Sequence, residues 1–164
     1  MALSEELALE WKVRAVGSAD LIWKAGGEEI RVHTTYLGDG LGSLMQAALD
    51  LQSGSSSSFA TLLAEPGGSR IFFSGAAEEV YVQMVAFADL ASEEGRWRDG
   101  AMLWHGRIKV DLLIRAVRGM AEGLLATHRN IEQYTNAWGG ERFPLDKLAA
   151  LRSGGDQGRE SSRE

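Results

Sequence analysis

The segment Leu37-Gly38-Asp39-Gly40-Leu41-Gly42-Ser43 is where residue type and spacing in this sequence come nearest to chemistry. Gly38 and Gly40 stand at the first two glycine positions of a dinucleotide fingerprint, Ser43 falls at the third, and Glu65 ends the following strand. Glycines at a strand-to-helix junction let an anion approach the backbone amides of the helix start, so Gly38, Gly40, Gly42 and Ser43 are candidates for holding a phosphate. Three features oppose that role. The preceding strand alternates apolar and charged residues, whereas a central parallel strand is apolar almost throughout. Asp39 would put a carboxylate in the anion's place, and the crossover unit is not repeated. Nor does the Lys of a P-loop follow the glycines. An architectural account covers the same residues: Asp39 caps the helix, or Ser43 does so with Gln46 returning the bond, while glycines allow a tight turn and close packing.

Other constellations are weaker. His33, His105 and His128 belong to no HExxH or HxH arrangement, and the first two share strand faces with Arg31 and Arg107, whose charge disfavours a metal. No metal and no cofactor are expected. No GxSxG elbow accompanies the serines, and the pairs Glu78-Glu79 and Glu93-Glu94 fall in turns, where carboxylates are simply solvated. No catalytic residue is assigned. Trp11, Trp23, Trp104 and Trp138 occupy positions that belong to a core. Trp97 differs, sitting between Arg96 and Arg98 in the charged loop SEEGRWRD, where it either contacts a partner or folds back onto the body.

The elements that must position these residues follow from periodicity. Leu7, Leu9, Trp11 and Val13 alternate with charged residues, Leu21 and Trp23 continue the pattern after Gly17-Ser18, and Ile30, Val32, Thr34 and Tyr36 resume it after Gly26-Gly27. A three-stranded antiparallel meander is the economical reading. Leu41, Leu44, Met45, Ala48, Leu49 and Leu51 then mark a helix that Gly54 ends. Strands are expected over Phe59–Ala64, Arg70–Ser74, Val80–Phe87 and Met102–Ile108, with Pro66-Gly67 at the centre of a type II turn between the first two. From Val110 the helical stripe returns, with a break expected near His128–Asn130 if the helix is not continuous to Trp138. A short helix over Leu145–Leu151 closes the fold.

The expected architecture is therefore α+β. One mainly antiparallel sheet of six to seven strands carries a helix inserted after its third strand and a long C-terminal helix on one face. A single domain over residues 1–152 and a disordered tail over 153–164 complete the reading, since the tail has no apolar residue. At 45% hydrophobic and 24% charged residues, the composition is that of a globular protein rather than a disordered one. The net charge of −6 argues against general nucleic-acid binding. Without cysteine, disulfides, thiolate nucleophiles and sulfur-ligated zinc are excluded. The acidic N-terminal residues and the lack of a long apolar run point to a cytoplasmic protein away from membranes.

The succession YLGDGLGSLMQAALDL, then AEPGGSRIFF, then YTNAWGGERFPLDKL resembles a group of uncharacterised actinobacterial small α+β proteins, some of which look like toxin-immunity proteins. The matching segments are Asp39 to Leu51, Glu65 to Gly67 and Trp138 to Leu148. The resemblance implies a bacterial, non-enzymatic protein and no active-site residue. The reading is then a non-catalytic protein-binding module, an immunity or accessory protein whose partner is encoded by a neighbouring gene. Its partner-binding candidates are Arg31, His33, Gln83, His105 and Arg107 on a polar sheet face, with Arg96, Trp97 and Arg98 in the nearby loop. A homodimer through Tyr81, Val85 and Phe87 is compatible with it. The alternative is a small-molecule or nucleotide-binding protein, or a small enzyme, built on Gly38–Ser43.

Overall fold

Alternation along the N-terminal third produces the expected meander. In the computed structural model, which describes residues 3–160, a two-residue strand β1 (Leu3–Ser4) precedes β2 (Leu7–Ala15), β3 (Ser18–Ala25) and β4 (Glu28–Thr35). The last three pair antiparallel in the order β2-β3-β4, with Trp11 opposite Leu21 and Trp23 opposite Ile30. Period-two geometry gathers Trp11, Leu21, Trp23 and Val32 on one face, and all four are buried. The opposite face carries Lys12, Asp20, Lys24, Arg31 and His33.

The meander is, however, a sheet of its own. Strands β5 (Ser58–Leu63), β6 (Gly68–Ser74), β7 (Glu79–Phe87) and β8 (Ala101–Lys109) form a second sheet in the order β1-β8-β7-β6-β5. It is antiparallel except for β1, which runs parallel to β8. One sheet of six to seven strands is thus replaced by sheets of three and five. The physical reason is that alternation specifies which face of a strand is buried and says nothing about which edge it joins. Between β4 and β5 the backbone ladder is replaced by side chains: Thr34 Oγ1 donates to Leu63 O at 2.8 Å and Thr35 Oγ1 to the same oxygen at 3.4 Å.

The inner faces of both sheets share one core. Trp23 of the smaller sheet meets Trp104 of the larger, their rings 5.7 Å apart. Helix α1 (Gly40–Gln52) packs on β5, and α2 (Val110–His128) packs across β2. Of the two possibilities for the stripe after Val110, one long helix or two in succession, the structure has two. Arg129 turns into the left-handed region and Asn130 Oδ1 accepts from Gln133 N at 2.8 Å, starting α3 (Ile131–Trp138). The expected long C-terminal helix is thus divided into α2 and α3, and the separately expected terminal helix follows. The last, α4 (Leu145–Glu160), lies against α1, where Gln52 Nε2 donates to Ala150 O at 3.1 Å. It continues beyond the short segment expected from its apolar residues; the tail expected over 153–164 falls partly on this helix and, from 161, outside the described residues. Among the described residues no helix is long and apolar enough to cross a membrane.

At the glycine junction the architectural account holds in detail. Asp39 is the N-cap of α1, its Oδ1 accepting from Gly42 N at 2.9 Å, while Ser43 Oγ accepts from Thr61 N at 2.9 Å and so ties α1 to β5. Gly40 is required by space, because a Cβ there would lie 2.8 Å from Leu62 Cδ2 and 3.1 Å from Trp11 Cη2. The Pro66-Gly67 turn departs from expectation: Gly67 is not left-handed, the Glu65–Pro66 peptide is cis, and the glycine is needed because a Cβ would collide with Phe87 O.

These contrasts yield opposite outcomes for two glycines. Gly40→Ala is expected to destabilise the fold by about 1–3 kcal/mol through overpacking. In Gly119→Ala, on an exposed turn of α2 with open space around the new methyl, the protein should gain about 0.5–1 kcal/mol. Urea unfolding of the two variants checks both signs.

Candidate functional site

Where the two sheets meet, a cavity of about 600 Å³ opens between the loop after β4, the end of β5, the β5–β6 turn and the loop after β7. Leu37, Leu63, Pro66 and Leu90 give it an apolar wall, and Arg70, Arg96, Trp97 and Glu65 add charge and an aromatic ring. Leu37, exposed beside Tyr36, is also the first residue of the glycine segment. The junction therefore reaches the cavity through its leucine rather than its glycines.

Arg70 is placed by strand alternation. On β6, Ser69, Ile71 and Phe73 turn inward and are buried, so Arg70 and Phe72 share the outward face. Arg70 stands between Thr61 of β5 and Val85 of β7. Its guanidinium carbon lies 3.4 Å from the centre of the Trp97 ring and 4.7 Å from that of Phe59, close enough for cation–π attraction. Burial lowers its affinity for the proton relative to an ordinary arginine. Its Nε is shielded from solvent and has no acceptor among the described residues, a deficit that costs about 1–3 kcal/mol for a buried donor.

Trp97 reaches Arg70 because its loop is locally organised. Asp89 Oδ1 accepts from Ala91 N at 2.8 Å and Ser92 N at 3.2 Å, and Arg96 Nε donates to Leu90 O at 3.2 Å. The Ser92 hydroxyl and these amides hold the Asp89 carboxyl below the usual carboxylate range. Trp97 itself has a left-handed backbone, with φ 62°, and its ring meets Phe87 edge-on at 5.2 Å. Of the two accounts open for Trp97, the structure has it folded back, yet still half-exposed on the cavity wall.

The outward face of the larger sheet extends from this point. In register across it run Phe59, Phe72, Gln83 and His105, and beside them Thr61, Arg70, Val85 and Met102. The Tyr81 hydroxyl lies 3.3 Å from His105 Nδ1, and Arg107 pairs with Glu79 at 3.3 Å. No helix among the described residues packs on this face, where Phe59 is 51% and Met102 48% exposed. Gln83, His105 and Arg107 thus share the outward face that Trp97 covers at Arg70, while Arg96 lines the cavity. Arg98 is exposed in the same loop, outside the cavity lining.

Arg31 and His33 are a correction. The single-sheet expectation placed them on one face with Gln83 and His105, but β4 belongs to the other sheet. There Arg31 pairs with Glu29 at 3.1 Å, and His33 Nδ1 lies 3.1 Å from Asp20, which also binds Arg14 at 2.9 Å. Conversely, Arg70, Phe59, Phe72 and Leu37 are site residues that spacing did not single out. The usable signal was hairpin register: pairing of β5 with β6 sets Phe59 opposite Phe72 and Thr61 opposite Arg70. No group of three or more His, Asp and Glu among the described residues is placed to hold a metal ion.

The Asp20 cluster has a pH signature. Partial burial pushes its carboxyl up, but the bonds from His33 and Arg14 outweigh this and hold it below the ordinary aspartate value. A depressed carboxyl stabilises the fold fully above its unfolded value of about 3.9, and the contribution fades as pH falls through the folded value. Asp20→Asn is therefore expected to be less stable than the wild type at neutral pH and to converge with it in acid. Urea midpoints across that range check the convergence; parallel curves would contradict it.

Compared with known proteins, the chain matches no protein family, no curated protein and no solved structure.

Proposed function

We propose that this protein is a non-catalytic binding module that recognises a partner protein through the outward face of its five-stranded sheet and the adjoining cavity. The observation that carries this reading is the gathering of large, accessible side chains there. Leu37, Phe59 and Met102 are among the most exposed large hydrophobic residues of the fold, and they border one face with half-exposed Trp97. Apolar residues scattered singly over a surface need no explanation, whereas a contiguous patch rimmed by polar groups marks an interface. Arg70, Arg96, His105 and Arg107 supply that rim, and aromatic residues with arginine are the side chains that dominate binding energy in protein interfaces.

The charged face of the smaller sheet fits the role less well. Its Arg14, Lys24, Arg31 and His33 are already matched by Asp20 and Glu29 within the protein, and exposed ion pairs of that kind contribute little. An immunity or accessory protein, as the sequence resemblance implies, would act in this way, binding the product of a neighbouring gene. A cytoplasmic setting belongs to the same proposal, supported by a fold held by its core without disulfides. A second copy of the chain is the other occupant the face admits.

Affinity capture with proteins encoded beside the gene tests the proposal. A stoichiometric complex should form with the wild type and with Arg31→Glu, and should weaken by about a hundredfold in Phe59→Asp/Met102→Asp, as loss of interface anchors predicts. Size measurement identifies a homodimer by the same substitutions. If the wild type binds neither a neighbour-encoded protein nor itself, the proposal fails.

A further inference from the structure

We infer that the cavity beside the seam of the two sheets is a carboxylate-binding pocket, in which Arg70 receives an acidic side chain of the partner polypeptide and the leucine-rich wall takes the residue beside it. This rests on the protein-binding reading and names what the face recognises. The first support is the state of Arg70. Trp97 and Phe59 hold its guanidinium by their rings, and its Nε–H has no acceptor among the described residues. A planar fork of N–H donors matches the two oxygens of a carboxylate, which an ammonium cannot do.

The second support is that Arg70 is half-buried with no carboxylate of the chain paired to it among the described residues. Exposed Arg14, Arg31, Arg107 and Arg152 each have a carboxylate partner within the chain. Arg70, more buried than they are, has none among the described residues, and its Nε is left without any acceptor. A desolvated cation gains most from a counter-ion, because the attraction is least screened there.

The lining then narrows the ligand. Two arginines, Arg70 and Arg96, face one carboxylate, Glu65. The balance is singly positive, which suits a carboxylate better than a doubly charged phosphate. Leu37, Leu63, Pro66 and Leu90 would accept an apolar neighbour of the acidic residue. Leu37 on its wall is exposed and next in the chain to exposed Tyr36.

The test uses the whole protein, ¹⁵N-labelled, and follows the Arg70 Nε–H resonance, assigned by its absence in Arg70→Lys. Probes are acetyl-Leu-Glu-Leu-amide, its Gln counterpart, octanoate and inorganic phosphate. The Glu peptide should shift the resonance saturably, with the Gln peptide weaker by about tenfold or more, as expected for loss of a charge-assisted pair. Arg70→Gln, with its thermal unfolding showing an intact fold and its binding read from the backbone amide shifts of the cavity residues, should lose the preference for Glu over Gln. Equal binding of the two peptides, a preference retained in Arg70→Gln, or no shift with either peptide at millimolar concentration would each overturn the inference. Tighter binding of octanoate or phosphate than of the Glu peptide would overturn the peptide as ligand. The broader reading fails separately: a partner captured equally well by wild type and Arg70→Gln leaves the interface standing and removes the pocket's role, whereas peptide binding without any captured partner does the reverse.

Discussion

Thr34 is wholly buried and donates its hydroxyl to the carbonyl of Leu63, and the seam held by that bond locates most of what matters in this protein. A β-strand edge carries unpaired donors and acceptors that must be satisfied when covered. Here β4 and β5 approach without a shared ladder, so a threonine side chain bridges two sheets that backbone pairing does not join. Gly40 packs against Thr34, Leu62 and Trp11 at the same place, which lets α1 start close to the seam. Asp39 caps the helix, and Ser43 ties it to β5. The cavity lies alongside, bounded by residues that enter and leave these elements.

The local elements were legible because their periods are clear. Residues 7–15 alternate throughout and form one strand over that span, and the three-to-four spacing after Gly40 forms one helix. What periodicity could not convey was partition. Each strand of the meander needs one buried face, a condition met equally by one continuous sheet or by two sheets sharing a core. The contact of Trp23 with Trp104 satisfies it across the two sheets. Strand β1 escaped notice for a related reason: two residues are too few to show a period, and a parallel partner a hundred residues later leaves no local mark.

The candidate site was half legible for the same physical reasons. Trp97 and Arg96 stood out because an aromatic among charges in a loop is unusual, and they do line the cavity. Arg70 did not, since a lone arginine in an apolar strand reads as the solvated half of an alternation. Its meaning depends on what covers it, and the covering ring arrives from a loop more than twenty residues later. Arg31 and His33 failed in the opposite direction. Their local pattern marks a polar strand face, but the sheet boundary separates that face from Gln83 and His105.

Charge balance explains why this distinction matters. Exposed Arg14, Arg31, Arg107 and Arg152 each hold a carboxylate of the chain, whereas half-buried Arg70 holds none among the described residues. Keeping Arg70 unpaired requires that its neighbours be something other than carboxylates, and the flanking positions are in fact Phe59, Thr61, Phe72, Val85 and Trp97. Aromatic rings attract the cation while its Nε–H has no acceptor among the described residues. The glycine junction, which first drew attention as an anion site, has its own carboxylate at the helix start. The feature suited to an anion instead stands across the cavity from Leu37, on a strand where an arginine is held by rings rather than by charge.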